Sequence, residues 1–265
     1  MNPFRHLVAL LRSRPVLVAW RRCTVTTAIL GSGALCAQNQ QVLYQTNWQD
    51  GLDPHFGVQA NSGDIAIVAD PAGEYTKALQ TTIRLSEDFS HVANGVPRAE
   101  LLFPSPVRFA QSQTYRVRWS TMLPPGTQFD ARQFVIITQI NQGTWLGGPT
   151  LALALQGKRY AISQRGGGRH DTVSAGKWLC CADADVGKWV HWELIYGPQE
   201  SGKNAVTELR RDGKQVFLAQ DVPNAYPGVQ NAYLKIGLYK PDWQKEATDV
   251  AQVSLLYGPV TVSRE

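Results

Sequence analysis

Three short stretches carry side chains able to hold a carboxylate and move a proton. Tyr233-Leu234-Lys235-Ile236-Gly237-Leu238-Tyr239 alternates strictly. Strand side chains point to opposite faces with period two, so Leu234, Ile236 and Leu238 share a core face. Tyr233, Lys235 and Tyr239 share the other, with Gly237 leaving a gap between them. In Phe134 to Asn141, the amides of Gln139 and Asn141 fall on one face. In Pro97 to Phe103, Arg98 and Glu100 do the same. A guanidinium forks onto a carboxylate, and amide groups donate hydrogen bonds to it. A phenol gives up a proton, or takes one where nearby cations favour phenolate. His91, in the polar loop of residues 86–96, is a second proton carrier. The expectation is that the three stretches are neighbouring strands flooring one polar groove.

The rest of the chain supplies the elements that must position them. Short alternating runs recur throughout the 265 residues, with Gly and Pro between them. Strands are expected at residues 43–48, 65–68, 78–85, 98–103, 114–122, 133–141, 150–155, 159–164, 189–196, 207–211, 214–218, 233–239 and 250–262. Asp212-Gly213 marks a hairpin between two of them. No segment holds a 3.6-residue period over three turns. This predicts an all-β fold, a β-jelly roll made as a concanavalin-A-like sandwich of two antiparallel sheets, in one domain over residues 38–265. Arg165-Gly166-Gly167-Gly168-Arg169-His170 reads as a mobile basic loop, in which Arg165 and Arg169 could clamp an acidic ligand.

Residues 1–37 read as a secretion signal. Arg5, Arg12, Arg14, Arg21 and Arg22 precede the apolar run Thr24 to Leu35 and the small-residue site at Ala34 to Ala37. The run is too short and too rich in Thr and Gly to span a bilayer. A secreted or periplasmic protein, without a membrane partner, is expected. The leader also explains the formal net charge of +5. Of 26 basic and 21 acidic residues, the leader takes five basic and no acidic ones, so 26 − 5 = 21 basic remain against 21 acidic. A neutral body is no nucleic-acid binder, and attraction to an acidic ligand must be local. Cys180 and Cys181 are adjacent; both states, two thiols or a local disulfide, leave them without a catalytic role. No metal-ligand spacing of Cys or His occurs.

The Tyr-x-Lys-x-Gly-x-Tyr strand, the earlier Gln139-Ile140 strand and Arg98-x-Glu100-Leu101 together resemble jelly-roll polysaccharide lyases. With Gly187-Lys188-Trp189 and Tyr257-Gly258-Pro259-Val260, the layout is most similar to the glucuronan-lyase and heparin-lyase-I-like group, with motifs shared with jelly-roll alginate lyases. The likeness spans about residues 42–262. Asn141 stands where many relatives have His, so the base must be sought elsewhere. The resemblance implies β-elimination on a uronic-acid polysaccharide: the C5 proton is removed beside the carboxylate and O4 departs. His91, Arg98, Gln139 and Tyr239 are the expected catalytic residues. Asn141, Tyr233, Lys235, Arg165 and Arg169 are the expected substrate contacts. No cofactor is required; a structural calcium ion is compatible with the fold. The expected partner is the acidic polysaccharide alone, bound by a monomer. Two other classes compete: a lectin-like carbohydrate-binding protein, and a glycoside hydrolase, which needs two carboxylates flanking the bond. The Glu-x-Asp-x-x-Glu strand of jelly-roll glucanases is absent.

Overall fold

The computed structural model describes residues 40–143, 147–168 and 173–265. The expected leader, and Arg169 and His170 of the basic loop, lie outside the described residues. The chain forms β1 (Gln41–Thr46), β2 (Gly57–Gln59), β3 (Ile65–Ala69), β4 (Lys77–Arg84) and β5 (Arg98–Leu102). It continues through β6 (Tyr115–Met122), β7 (Val135–Asn141), β8 (Leu151–Gln156), β9 (Arg159–Arg165) and β10 (Val173–Leu179). A 3-10 turn at Ala182–Asp185 leads to β11 (Trp189–Gly197), β12 (Val206–Arg211), β13 (Lys214–Gln220), β14 (Tyr233–Tyr239) and β15 (Gln252–Arg264).

These strands make two antiparallel sheets, the jelly-roll sandwich. The first runs β13-β12-β11-β6-β15-β4-β3, with β1 also paired to β15. The second runs β10-β9-β8-β7-β14-β5-β2. The stretches carrying the candidate chemistry therefore lie side by side, β14 between β7 and β5. Between the sheets, Leu234, Ile236 and Leu238 of β14 meet Trp192 and Leu194 of β11 and Val260 and Val262 of β15, all buried in one cluster. Alternation explains why: each strand's apolar set fills the core, and its polar set is left on the outer face.

Two elements differ from the sequence expectation in existence. Strand β2 is three residues long with Val58 half-exposed, too short for a periodic signal. Strand β10, Val-Ser-Ala-Gly-Lys-Trp-Leu, has a Ser-Ala-Gly-Lys middle of low strand preference, and pairing with β9 overrides that preference. Arg165 is a correction. It closes β9 instead of opening a mobile loop, and only 2% of it is exposed.

The β7–β14 pairing carries an irregularity. Ile236 stands opposite Thr138 and Tyr239 opposite Ile136, so Gly237 and Leu238 face Ile137 alone. Against β8, Ile137 is itself the extra residue. Two residues opposing one is a bulge, and it breaks strict alternation. Ile137 lies in the core, while Ile136 and Gln139 both fall on the outer face.

Gly237 is held at φ +125, a conformation only glycine adopts without strain. A Cβ there would stand 2.1 Å from the Ala99 carbonyl oxygen of β5. Gly237→Ala is expected to lower stability by at least about 2 kcal/mol, read as a shift of the urea midpoint at unchanged m-value.

Candidate active site

Residues opposite each other on paired strands share a face. Gln59 of β2 pairs with Glu100 of β5, and Glu100 with Gly237 of β14. Tyr239 pairs with Arg98 on one side and Ile136 on the other. Lys235 pairs with Gln139, and Tyr233 with Asn141. The registers thus bring Arg98, Gln139, Asn141, Tyr233, Lys235 and Tyr239 onto one face of the second sheet, turned away from the core.

The centre of this face is a buried ionic cluster around Glu100. Glu100 is 1% exposed and Lys235 4%. Lys235 Nζ donates to Glu100 Oε2 at 3.1 Å, and Arg98 Nη1 approaches the same oxygen at 3.4 Å. Gln139 Nε2 donates to the other oxygen, Oε1. An ionised carboxylate only accepts, so Glu100 fixes which end of the Gln139 amide faces it. Gln59 Oε1 accepts from Lys235 Nζ at 2.8 Å and from Arg98 Nη1 at 3.2 Å. Gln59 carries no sequence signal, because its strand is too short to read. Two cations against one carboxylate leave a surplus positive charge in a water-poor setting, where an incoming anion is held more strongly than in bulk solvent.

The Arg98 guanidinium is aimed by the loop before it. Its Nε donates to the Val96 carbonyl at 3.2 Å, and Nη2 to Asn94 Oδ1 at 2.6 Å. Its Cζ lies 4.4 Å from the centre of the Tyr239 ring. Burial raises the Tyr239 pKa, Arg98 opposes the rise, and Glu100 adds to it. The phenol therefore keeps its proton at neutral pH. Burial pushes the Lys235 pKa down, and Glu100 opposes that shift. Tyr233 is raised by burial and by Glu100, with Arg108 5.8 Å from its ring centre. Asn141 Oδ1 accepts the Gly143 N–H at 2.6 Å, which turns the amide nitrogen of Asn141 away as a donor.

The other sequence candidates are not part of this ionic cluster. His91 is exposed and makes no hydrogen bond or ion pair among the described residues, but its loop also holds Asn94 and Val96 against Arg98. Arg165 lies on β9, two strands beyond β7, and its Nη1 donates to the Pro149 carbonyl at 3.3 Å. His191 belongs to the first sheet, with Nδ1 3.0 Å from Ser120 Oγ. Two surface hollows of about 660 and 670 Å³ lie away from the cluster, one beside Tyr44 and Asp53 and the other around His191 and Arg118. Cys180 and Cys181 are joined in a disulfide. Among the described residues no group of three or more His, Cys, Asp or Glu side chains is set to hold a metal ion.

Solved structures of similar shape include polysaccharide lyases. The endo-β-1,4-glucuronan lyase of the fungus Trichoderma reesei matches with a TM-score of 0.64 at 17% identity, covering 85% of this chain and 94% of that one. The family 7 alginate lyase AlgAT5 matches at 0.53 and 14% identity, over 86% and 94% of the two chains. Alginate lyase A1-II', also of family 7, matches at 0.53 and 14% identity, over 80% and 95%. No curated protein sequence matches significantly. The model of the family described as polysaccharide lyase matches residues 39–254. A face that gathers two cations, two amides and a phenol around one buried carboxylate is thus carried by a chain that belongs to the polysaccharide lyase family.

Proposed function

We propose that this lyase cleaves a polyuronate by β-elimination, with Arg98, Gln139, Asn141 and Lys235 holding the uronate carboxylate and Tyr239 handling a proton. The observation that carries the proposal is the surplus positive charge of Arg98 and Lys235 over Glu100, set in register with Tyr239. Removing the C5 proton moves charge onto the adjacent carboxylate, giving an enolate-like state. Pre-aimed donors stabilise that state more than the ground state. Gln139 keeps its second N–H for this purpose, and Asn141, its oxygen taken by the Gly143 N–H, offers its amide nitrogen as a donor.

The proton roles follow from the environments. Tyr239, protonated at neutral pH through burial, serves as the acid at the departing O4. Asn141 cannot take a proton. Among the described histidines, His55 pairs with Asp53 and His191 lies on the other sheet. His91, in the loop that aims Arg98, is the base at C5. Tyr233 flanks the site as a sugar contact; Arg165, two strands beyond β7, would contact only a longer chain, and Arg169 is proposed as a contact on its charge alone. The first substrate to try is β-1,4-glucuronan, because the Trichoderma reesei enzyme of that name shares the fold over most of both chains. Elimination needs no cofactor in this scheme, and the polysaccharide is the only partner, bound by a secreted or periplasmic monomer. The lectin-like reading has no use for a protonated buried phenol beside a surplus cation. The hydrolase reading needs two carboxylates, and the cluster holds one, Glu100, engaged by three donors.

The test is release of unsaturated uronate, followed by its ultraviolet absorbance, across glucuronan, alginate, heparin and pectate. Tyr239→Phe and His91→Ala should each lower kcat by about 10²–10⁴-fold while substrate binding survives. A severe Tyr239→Phe with a mild His91→Ala would move both proton roles to Tyr239. A Tyr239→Phe enzyme near the wild-type rate would refute the site.

Acidity and salt give two further expectations. With its pKa raised, Tyr239 stays protonated until alkaline pH, so as the acid it should place the falling limb of kcat above pH ~10, the ordinary tyrosine value. A falling limb near neutrality would assign the acid to another group. Because the body of the protein is neutral, substrate attraction is local. KM for polymer should still rise with added salt, since the screening length falls to about 8 Å at physiological ionic strength. A KM indifferent to salt would speak against an acidic substrate.

A further inference from the structure

The motif Tyr257-Gly258-Pro259-Val260 lies in β15 of the first sheet, yet it reaches the active face of the second. Tyr257 is fully buried. Its hydroxyl crosses the core to backbone groups of β14 and β7. It accepts the Gly237 N–H at 3.0 Å, donates to the Ile137 carbonyl, and lies 3.1 Å from the Gly237 carbonyl. These are the residues of the bulge, where Gly237 and Leu238 stand opposite Ile137 alone. A bulge leaves ladder groups unpaired, and a buried unpaired group costs about 1–3 kcal/mol. One hydroxyl from the opposite sheet satisfies them on both strands.

The bulge is adjacent to the chemistry. Two residues beyond Gly237 is Tyr239, and two beyond Ile137 is Gln139. Tyr257 is itself held firmly. Strand β15 shifts register against β6 between Tyr257 and Val260, the Trp48 indole donates to the Gly258 carbonyl at 2.7 Å, and a Cβ at Gly258 would lie 2.6 Å from the Tyr75 ring. Neither strand of the bulge can shift away from the core without losing the hydroxyl.

We propose that Tyr257 is a positioning residue for the elimination: its hydroxyl fixes the β14–β7 bulge, and through it the seat of Tyr239 against Arg98 and of Gln139 against Glu100. This rests on the reading of Tyr239 and Gln139 as residues of the active site. Packing alone would ask only for the ring, which phenylalanine supplies.

Tyr257→Phe therefore separates the two. The expected result is a folded protein whose kcat falls by about 10²-fold with KM little changed, the size of effect that a misplacement near 1 Å produces. The falling limb of its kcat profile should move to higher pH, because Tyr239 drifts from the cation that opposes its rise. Tyr196→Phe is the control, a fully buried tyrosine of β11 bonded to the Asn224 carbonyl, away from the bulge; it should cost stability and leave kcat alone. In the wild type, the Gly237 amide should exchange with solvent as slowly as the core strands, and faster in Tyr257→Phe. A Tyr257→Phe enzyme with wild-type kcat, or one whose loss matches that of Tyr196→Phe, overturns the proposal. Should Tyr257→Phe not fold, wild-type exchange decides: a Gly237 amide exchanging at loop rates overturns it, and a protected one supports it. Tyr239→Phe in the same assay tests the underlying reading separately, since an active Tyr239→Phe enzyme removes the site whatever Tyr257 does.

Discussion

A carboxylate buried at 1% exposure must be fully satisfied, and the candidate active face is arranged around that requirement at Glu100. Two cations and an amide converge on its oxygens, and Gln59 accepts one further hydrogen bond from each cation. Removing one member of such a cluster strands the opposite charge and typically costs about 3–5 kcal/mol. The cluster also sets polarity. Without Glu100, Arg98 and Lys235 would repel each other across a low-dielectric space. With it, they stay charged and close, and still leave one positive charge for a ligand.

The fold meets this requirement through register. Antiparallel pairing of β2, β5, β14 and β7 puts Gln59, Glu100, Gly237 and Gln139 within reach of one another. Gly237 matters because its missing side chain lets β14 close on β5 at Ala99. The bulge beside it spends ladder hydrogen bonds to bring Ile136 and Gln139 to the same face, and the core tyrosine of β15 restores them. The two sheets are thus coupled at the site by a single hydroxyl as well as by packing.

Charge distribution adds a second constraint. Residues 38–265 balance, with 21 basic against 21 acidic. The outer face of the first sheet follows the same rule, since Arg116 and Arg118 are matched by Glu193 and Glu265. Against that neutral background the Arg98–Lys235 pair stands out. A neutral body with one local cation surplus suits a long polyanion that must be bound, cut and released.

The sequence by itself determined most of the architecture and half of the candidate site. Period-two alternation identified thirteen of the strands and the outward faces of β14 and β5, because side-chain direction in a strand is a local property. It also put Gln139 with Asn141, and Arg98 with Glu100. What it could not determine depends on pairing between distant segments. Gln59 joins the cluster only because a three-residue strand docks on β5. Strand β10, with Ser-Ala-Gly-Lys at its middle, exists because β9 offers it an edge. Arg165 reads as the start of a flexible loop beside three glycines, yet the ladder continues through it and buries it. The orientation of the Asn141 and Gln139 amides, the bulge at Gly237, and the reach of Tyr257 across the core were decided by tertiary structure alone. Each depends on which backbone or carboxylate group lies opposite, and no local pattern encodes that.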